Sequence, residues 1–306
     1  MPELPEVETV RDGLARHVLG ERVGSVEVLR PSAVRRQAGG AGEFAGRLTG
    51  RTLTHAVRRG KFCWLLLDEP GEALLVHLGM TGQLLVRADD GGVNPHLRAR
   101  LRLGGDRLLD FVDQRTFGHL LVDDLAPTPD ALPGGRGADL PALPSLVAHI
   151  GRDLLDPALD EPALVRRVRA SRSGIKRVLL DQRVVSGLGN IYADEALWRT
   201  RLHPERPADA LTGPQVRALI AAGRAVMTEA LAAGGTSFDA TYVDVAGAAG
   251  WFARELAVYG REGLPCPRCG RAVVREPFAN RSSHRCPRCQ PAPRPRRMSR
   301  SASGIA

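Results

Sequence analysis

Lysine is almost missing from this 306-residue sequence: of 43 basic side chains only Lys61 and Lys176 are lysines, and the rest are arginines. An arginine-biased genome produces such a composition, and a lysine that persists against the bias marks a position that a planar guanidinium does not serve. Long apolar runs are missing too. Nothing approaches the ~20 residues that a membrane-spanning helix needs. The opening MPELPEVETV has no basic stretch followed by an apolar one, so no secretory leader is expected and the protein reads as soluble and cytoplasmic. Cysteine is scarce, with five residues, and in a reducing compartment that argues against a disulfide scaffold. Internal repeats are absent.

What is present begins with charge. The net charge is +9, and its distribution says more than its size. From Arg254 to the C-terminus there are 12 Arg and 3 Glu, which is the whole excess, so the first 253 residues balance to zero. A concentrated positive module points to a polyanionic partner. The last stretch, 291–306, reads as a disordered basic tail. An apolar content of 43% allows sizeable cores in two or three domains.

Four of the cysteines form Cys266-x2-Cys269 and Cys286-x2-Cys289, separated by sixteen residues. This is the pattern of a four-thiolate zinc site, closed by protein ligands and therefore structural. The intervening residues are long enough for a hairpin carrying Arg281, and Arg268, Arg271, Arg275, Arg285 and Arg288 surround it. By itself this supports a nucleic-acid-binding zinc ribbon. Cys63, inside Phe62-Cys63-Trp64-Leu65, reads as a buried strand residue.

The first 125 residues are rich in short apolar or alternating runs punctuated by Gly, Asp and Pro: 62–67, 72–78, 83–86, 99–103, 108–112 and 120–122. Their spacing suits an antiparallel sandwich. Before them, Val7 to Leu19 has helical periodicity, with Val7, Val10, Leu14 and Val18 on one face. Residues 126–144, loaded with Pro, Gly, Ala and Asp, read as a linker. Beyond it the pattern turns helical over 164–169, 175–182, 191–199 and 214–233, with Gly187-Leu188-Gly189-Asn190 as a break and Asn190 as a helix N-cap. Residues 234–250 form a Gly- and Ala-rich loop, long enough to suggest a functional lid. The zinc module, 251–290, follows.

Pro2 directly follows Met1, and a small second residue permits removal of that methionine. The free secondary amine so exposed has a pKa near ~8 and is a usable nucleophile at neutral pH, with Glu3 beside it as a general acid or base. Alone, a proline at position 2 is common and carries little. It gains weight from its company. Pro2 to Val10, His77-Leu78-Gly79-Met80-Thr81-Gly82, Asp113-Gln114-Arg115-Thr116-Phe117-Gly118, Gly187 to Glu195 and the terminal cysteine pairs together resemble the formamidopyrimidine-DNA glycosylase family, in the family's order from Pro2 to Gln290.

The resemblance implies an α+β multidomain fold: an N-terminal β-sandwich with a flanking helix (1–125), a helix-two-turns-helix domain with a lesion-capping loop (145–250) and a C-terminal zinc finger. It implies a monomeric base-excision enzyme that acts on duplex DNA containing oxidised purines or abasic sites and holds one structural zinc ion. Pro2, Glu3, Lys61 and Arg281 would form the catalytic set, Lys61 and Arg281 on phosphates. Met80, His96, Arg115, Phe117, Lys176 and Asn190 would contact DNA. Met80, Arg115 and Phe117 would fill the gap left by an extruded nucleotide, although core packing explains a methionine and a phenylalanine equally well without the resemblance. Thr116 departs from the family, which often carries Arg there. Two rivals stay open: an endonuclease VIII-like enzyme for oxidised pyrimidines, and a non-catalytic zinc-ribbon DNA-binding protein.

Overall fold

The computed structural model describes residues 2–88, 94–234, 245 and 255–293. The expected lid, apart from Gly234 and Val245, and the tail from 294 onward lie outside the described residues. Helix α1 spans Leu4–His17 and begins three residues earlier than its apolar period suggests. The cause is local: the Glu6 carboxylate reaches back to accept the Glu3 backbone N–H at 2.8 Å, and Pro5 sits in the first turn, where a missing N–H costs nothing. Val7, Val10, Leu14 and Val18 are all buried, as the period requires.

Two antiparallel sheets follow. Strands β1 (Val23–Val28), β5 (Gly82–Arg87), β6 (Leu97–Leu103) and β7 (Leu108–Asp113) make a four-stranded sheet in the order β1-β6-β7-β5. Strands β2 (Leu53–Arg59), β3 (Phe62–Leu67), β4 (Glu72–His77), β8 (His119–Pro127) and β9 (Ala142–Pro144) make a five-stranded sheet in sequence order. Helix α2 (Gly40–Leu48) adds Phe44 and Leu48 to the core between them. Strand β3 is apolar throughout because both its faces are covered. Cys63, Leu65 and Leu67 enter the core shared with α1; Trp64 and Leu66 pack on the opposite face with Leu143, Val147 and Ile150.

That opposite face corrects the expected linker. Residues 126–144 do not hang free: Arg136 and Arg58 exchange backbone hydrogen bonds at 2.9 Å, and β9 pairs with β8. The glycines there permit contact rather than flexibility. A Cβ on Gly135 would stand 2.4 Å from the Arg58 carbonyl oxygen.

The second lobe packs α3 (Glu161–Arg169), α4 (Ile175–Leu180), α5 (Asn190–Arg199) and α6 (Gly213–Ala232) around Ile175, Leu188, Tyr192, Leu197, Leu219 and Met227. Leu4 of the first lobe belongs to this core. Strands β10 (Val274–Phe278) and β11 (Arg281–Arg285) form the hairpin between the cysteine pairs. Among the described residues no helix is long and apolar enough to cross a membrane.

A buried charge cluster also ties the lobes together. The Arg58 guanidinium, 1% exposed, donates to Glu8 Oε2 and to Asp153 Oδ2, each at 2.7 Å. Burial works against this cation, yet the two carboxylates outweigh it and hold its pKa above the ordinary arginine value. Deleting the arginine takes the cation from the buried Asp153, while Glu8 keeps Arg11 and Arg136, so Arg58→Ala should cost about 3–5 kcal/mol. Urea unfolding of the variant measures it, and an unchanged midpoint would remove this cluster from the account of stability.

Candidate active site

A cleft of about 620 Å³ opens where the two lobes and the hairpin meet, with Glu3, Met80, Asn190, Tyr259, Arg275 and Arg281 in its wall. Its centre is a helix end. Helix α5 starts at Asn190 behind Gly189, which has no side chain with which to cap the first N–H groups. The missing acceptor comes from the other lobe. Glu3 Oε2 accepts from Gly189 N at 2.7 Å and from Tyr192 N at 3.4 Å, and Oε1 accepts from Ile191 N at 2.9 Å. Asn190 is therefore not the N-cap: it is the first helical residue, and its Nδ2 donates to the Ser282 carbonyl at 2.8 Å.

Gly189 is required by space. A Cβ there would lie 2.3 Å from Glu3 Cδ and 2.7 Å from Lys61 Nζ. The same numbers place Lys61, in the turn from β2 to β3, beside the Glu3 carboxylate. Burial raises the Glu3 pKa above the ordinary carboxylate value, outweighing Lys61 and the amides of Ile191 and Gly189, which pull it down. Lys61 is lowered, first by burial and then by Arg281, against the opposite pull of Glu3. Pro2, the residue before Glu3, is buried as well.

Glu6, a residue the sequence reading passed over, completes the arrangement. Its carboxylate takes the Glu3 N–H on one oxygen and the Tyr192 hydroxyl, at 2.7 Å, on the other. The signal for it was present, since an acid three residues after an N-cap makes a capping box. Tyr259, in the cleft wall, carried no sequence signal.

Arg281 is exposed at the start of β11. Its neighbour Ser282 is anchored twice, by Asn190 and by Lys176 Nζ at 3.2 Å. Lys176 does not present itself for DNA contact. Its side chain is 0% exposed, paired with the equally buried Asp194 at 2.7 Å and 4.8 Å from the Phe278 ring centroid, so it fastens the hairpin to the helices. Asp194 also accepts from Ser283 Oγ at 3.0 Å and His284 N at 2.9 Å.

Across the cleft, Met80 is 38% and Phe117 50% exposed, so neither is a core residue. The Arg115 guanidinium lies 5.2 Å from the Phe117 ring centroid. Both stand on a turn organised by the buried Asp113 carboxylate, which accepts from Thr81 Oγ1 at 2.6 Å, Gly118 N at 2.7 Å and Arg115 N at 3.2 Å. His96 lies behind this turn, its carbonyl accepting Asp113 N at 2.9 Å.

The four sulfurs of Cys266, Cys269, Cys286 and Cys289 lie within 4.8 Å of one another, with Cys269 and Cys286 at 3.4 Å and Cys269 and Cys289 at 3.6 Å. Zinc–thiolate bonds of ~2.3 Å in a tetrahedron put sulfurs about 3.8 Å apart, so the set fits one zinc ion. Trp198 Nε1 and the Cys289 N–H each lie 3.4 Å from a sulfur, Cys266 and Cys286 respectively, as donors suited to thiolates. Cys63 is separate: burial pushes its thiol up to about 12, which keeps it protonated.

Comparison with known proteins agrees with this geometry. Residues 1–120 match the formamidopyrimidine-DNA glycosylase N-terminal domain, residues 150–241 the H2TH domain of the same enzymes, and residues 263–292 the zinc finger found in FPG and IleRS. A formamidopyrimidine-DNA glycosylase of Nocardioides is 56% identical over 304 residues, covering 98% of each chain. The chain belongs to the formamidopyrimidine-DNA glycosylase family. Two solved structures share its fold at 30% identity. MutM in complex with carbocyclic 8-oxo-G-containing DNA has a TM-score of 0.80 over 95% of this chain and 100% of that one. Lactococcus lactis Fpg with DNA containing an abasic site has 0.79 over 94% and 99%.

As a member of this family the chain is a DNA glycosylase with a structural zinc finger, and two outcomes test how its site is assembled. In Gly189→Ala the new methyl displaces the Glu3 carboxylate, so activity should fall about 100-fold or more with zinc content unchanged; retained activity would mean that Glu3 is not used where it stands. Removing zinc with a chelator should disorder the hairpin that carries Arg281 and weaken DNA binding. Fluorescence anisotropy on a labelled duplex measures this, and full affinity in the metal-free protein would mean that the hairpin does not bind DNA.

Proposed function

We propose that this glycosylase removes oxidised purines, 8-oxoguanine and formamidopyrimidines, from duplex DNA and then cleaves the strand through a Schiff base on Pro2. The observation that carries the reading is the Glu3 carboxyl: buried beside Pro2, raised in pKa and within the field of Lys61. An acid whose burial favours the protonated form, next to a secondary amine, has what a glycosylase with lyase activity needs.

With Met1 removed, the Pro2 nitrogen attacks C1′ of the extruded nucleotide and the base departs, taking up the proton that the amine loses, while Glu3 protonates the sugar ring oxygen as the C1′–O4′ bond breaks and the ring opens. The C1′–N bond becomes an iminium. Loss of a C2′ proton expels the 3′ phosphate, and a second elimination expels the 5′ phosphate, leaving a one-nucleotide gap. Lys61 and Arg281 hold phosphates, and the α5 N-terminus with Asn190 adds donors of the right sign. Met80, Arg115 and Phe117 occupy the vacated place in the stack, returning part of the few kcal/mol that extrusion costs. Zinc takes no part in bond making. The two structural relatives, one holding 8-oxo-G-containing DNA and one an abasic site, support this choice over the endonuclease VIII-like alternative.

Incubation with a duplex carrying one 8-oxoguanine opposite cytosine, in the presence of borohydride, tests the reading. A covalent adduct that disappears in Pro2→Gly and Glu3→Gln is the expected result. An adduct formed only on an oxidised pyrimidine would transfer the enzyme to the sister branch. No adduct on any lesion, with Met1 shown to be absent and zinc bound, would leave only DNA binding.

A further inference from the structure

We infer that Arg35 is a positioning residue for the gap-filling turn, and that its guanidinium sets how strictly the enzyme discriminates the base opposite the lesion. This rests on the gap-filling role proposed above for Arg115 and Phe117, with the Arg115 guanidinium set against the edge of the orphaned base.

Residues 114–118 connect β7 to β8, and Arg115 and Phe117 project from this short turn. Its N–H groups are held from inside by Asp113. The carbonyls of Thr116, Phe117 and Gly118 face one side chain from outside. Arg35 Nη1 donates to the Gly118 carbonyl at 2.6 Å and lies 3.4 Å from that of Thr116, while Nη2 donates to the Phe117 carbonyl at 2.7 Å. A further bond from Nη1 to the Ser32 carbonyl at 2.8 Å fixes the guanidinium to its own turn at residues 31–34. Three successive carbonyls on one planar fork is a geometry that lysine's single ammonium does not reproduce.

The clamp has something to restrain. Thr116, the residue that departs from the family pattern, has φ 56°. A β-branched residue is disfavoured in this left-handed region and persists there only when its surroundings enforce it. Released from Arg35, the turn has an incentive to relax, and relaxation moves Arg115 and Phe117 together. Both terminal nitrogens of Arg35 already face protein acceptors, so a DNA phosphate would have to displace a carbonyl. That separates this arginine from a simple backbone contact. Discrimination between orphaned bases depends on placing a guanidinium within a fraction of an ångström of their edges, so looseness in the turn should reduce selectivity before it reduces chemistry.

The test uses full-length, zinc-loaded enzyme and three measurements. These are single-turnover excision of 8-oxoguanine opposite cytosine, the same opposite adenine, and cleavage of a preformed abasic site, which has no stacked base to extrude. In Arg35→Ala the ratio of the two excision rates should move about tenfold toward one, with abasic cleavage within about twofold of the parent. Arg35→Lys should resemble Arg35→Ala rather than rescue it. Equal loss in all three measurements would make Arg35 a general structural residue and overturn the inference. An unchanged ratio in Arg35→Ala, with Arg115→Ala and Phe117→Ala altering it, would also overturn the inference while leaving the gap-filling role intact. If Arg115→Ala and Phe117→Ala leave the ratio unchanged as well, that role itself fails.

Discussion

A carboxylate from one lobe closes the open end of a helix in the other, and the rest of the site depends on that contact. Helix α5 begins with amides that Gly189 does not satisfy, and buried N–H groups require an acceptor. Glu3 supplies one from the very start of the chain. The consequence is mechanical. The first residues must cross the lobe boundary, so Leu4 is buried in the helical core and Leu4 N donates to the Gly187 carbonyl at 3.1 Å. Glu6 and Glu8 then find their partners, Tyr192 and Arg58, on opposite sides of the same seam. Pro2, proposed above as the nucleophile, is thereby tied to the lobe boundary through its neighbours Glu3 and Leu4.

The same contact sets two electrostatic demands against each other. As a cap, Glu3 is best ionised, because the amides and the helix dipole favour an anion. In the role proposed for it as a general acid, it would have to keep its proton. Burial decides between them: the net direction is upward despite Lys61 and the amides. Binding of a phosphate near Lys61 would weaken the cation's pull on Glu3 and reinforce that direction, so the substrate itself would help the acid retain its proton.

The legible parts of the sequence were those where one physical cause dominates. Cysteine spacing gave the hairpin and its metal site, and uninterrupted apolar runs gave β3 with its exact limits and β4 to within a residue. The unread parts are those where polar residues are buried. Strand β2 ends in Val57-Arg58-Arg59, all three buried, because Arg58 is neutralised by Glu8 and Asp153 rather than exposed. Strand β1 buries only Val23 fully, too little for an apolar pattern. The two lysines show how far a compositional signal reaches. Both are buried, but Lys61 sits in the cleft region beside Glu3, whereas Lys176 is enclosed by Asp194, Ser282 and Phe278. Scarcity singled out two buried lysines without saying whether chemistry or packing was the reason.

Helix α5 also explains why a zinc module so poor in apolar contacts is held in register with the acid. Its consecutive residues Asp194 and Glu195 reach in different directions. Asp194 takes Ser283 and His284 of the hairpin, and Glu195 takes the three successive N–H groups of Ala257, Val258 and Tyr259 on the chain entering it. One rigid helix thus carries Glu3 on its N-terminus and the hairpin with Arg281 on its flank. Arg281 depresses the Lys61 pKa from across the cleft, which means that in the free protein two cations repel one another over the space beside the acid. An anion placed between them would replace that repulsion with two attractions. The protein holds this unfavourable pair together with the Asp194, Glu195 and Glu3 contacts, and the phosphate of an extruded nucleotide is the group whose charge would relieve it.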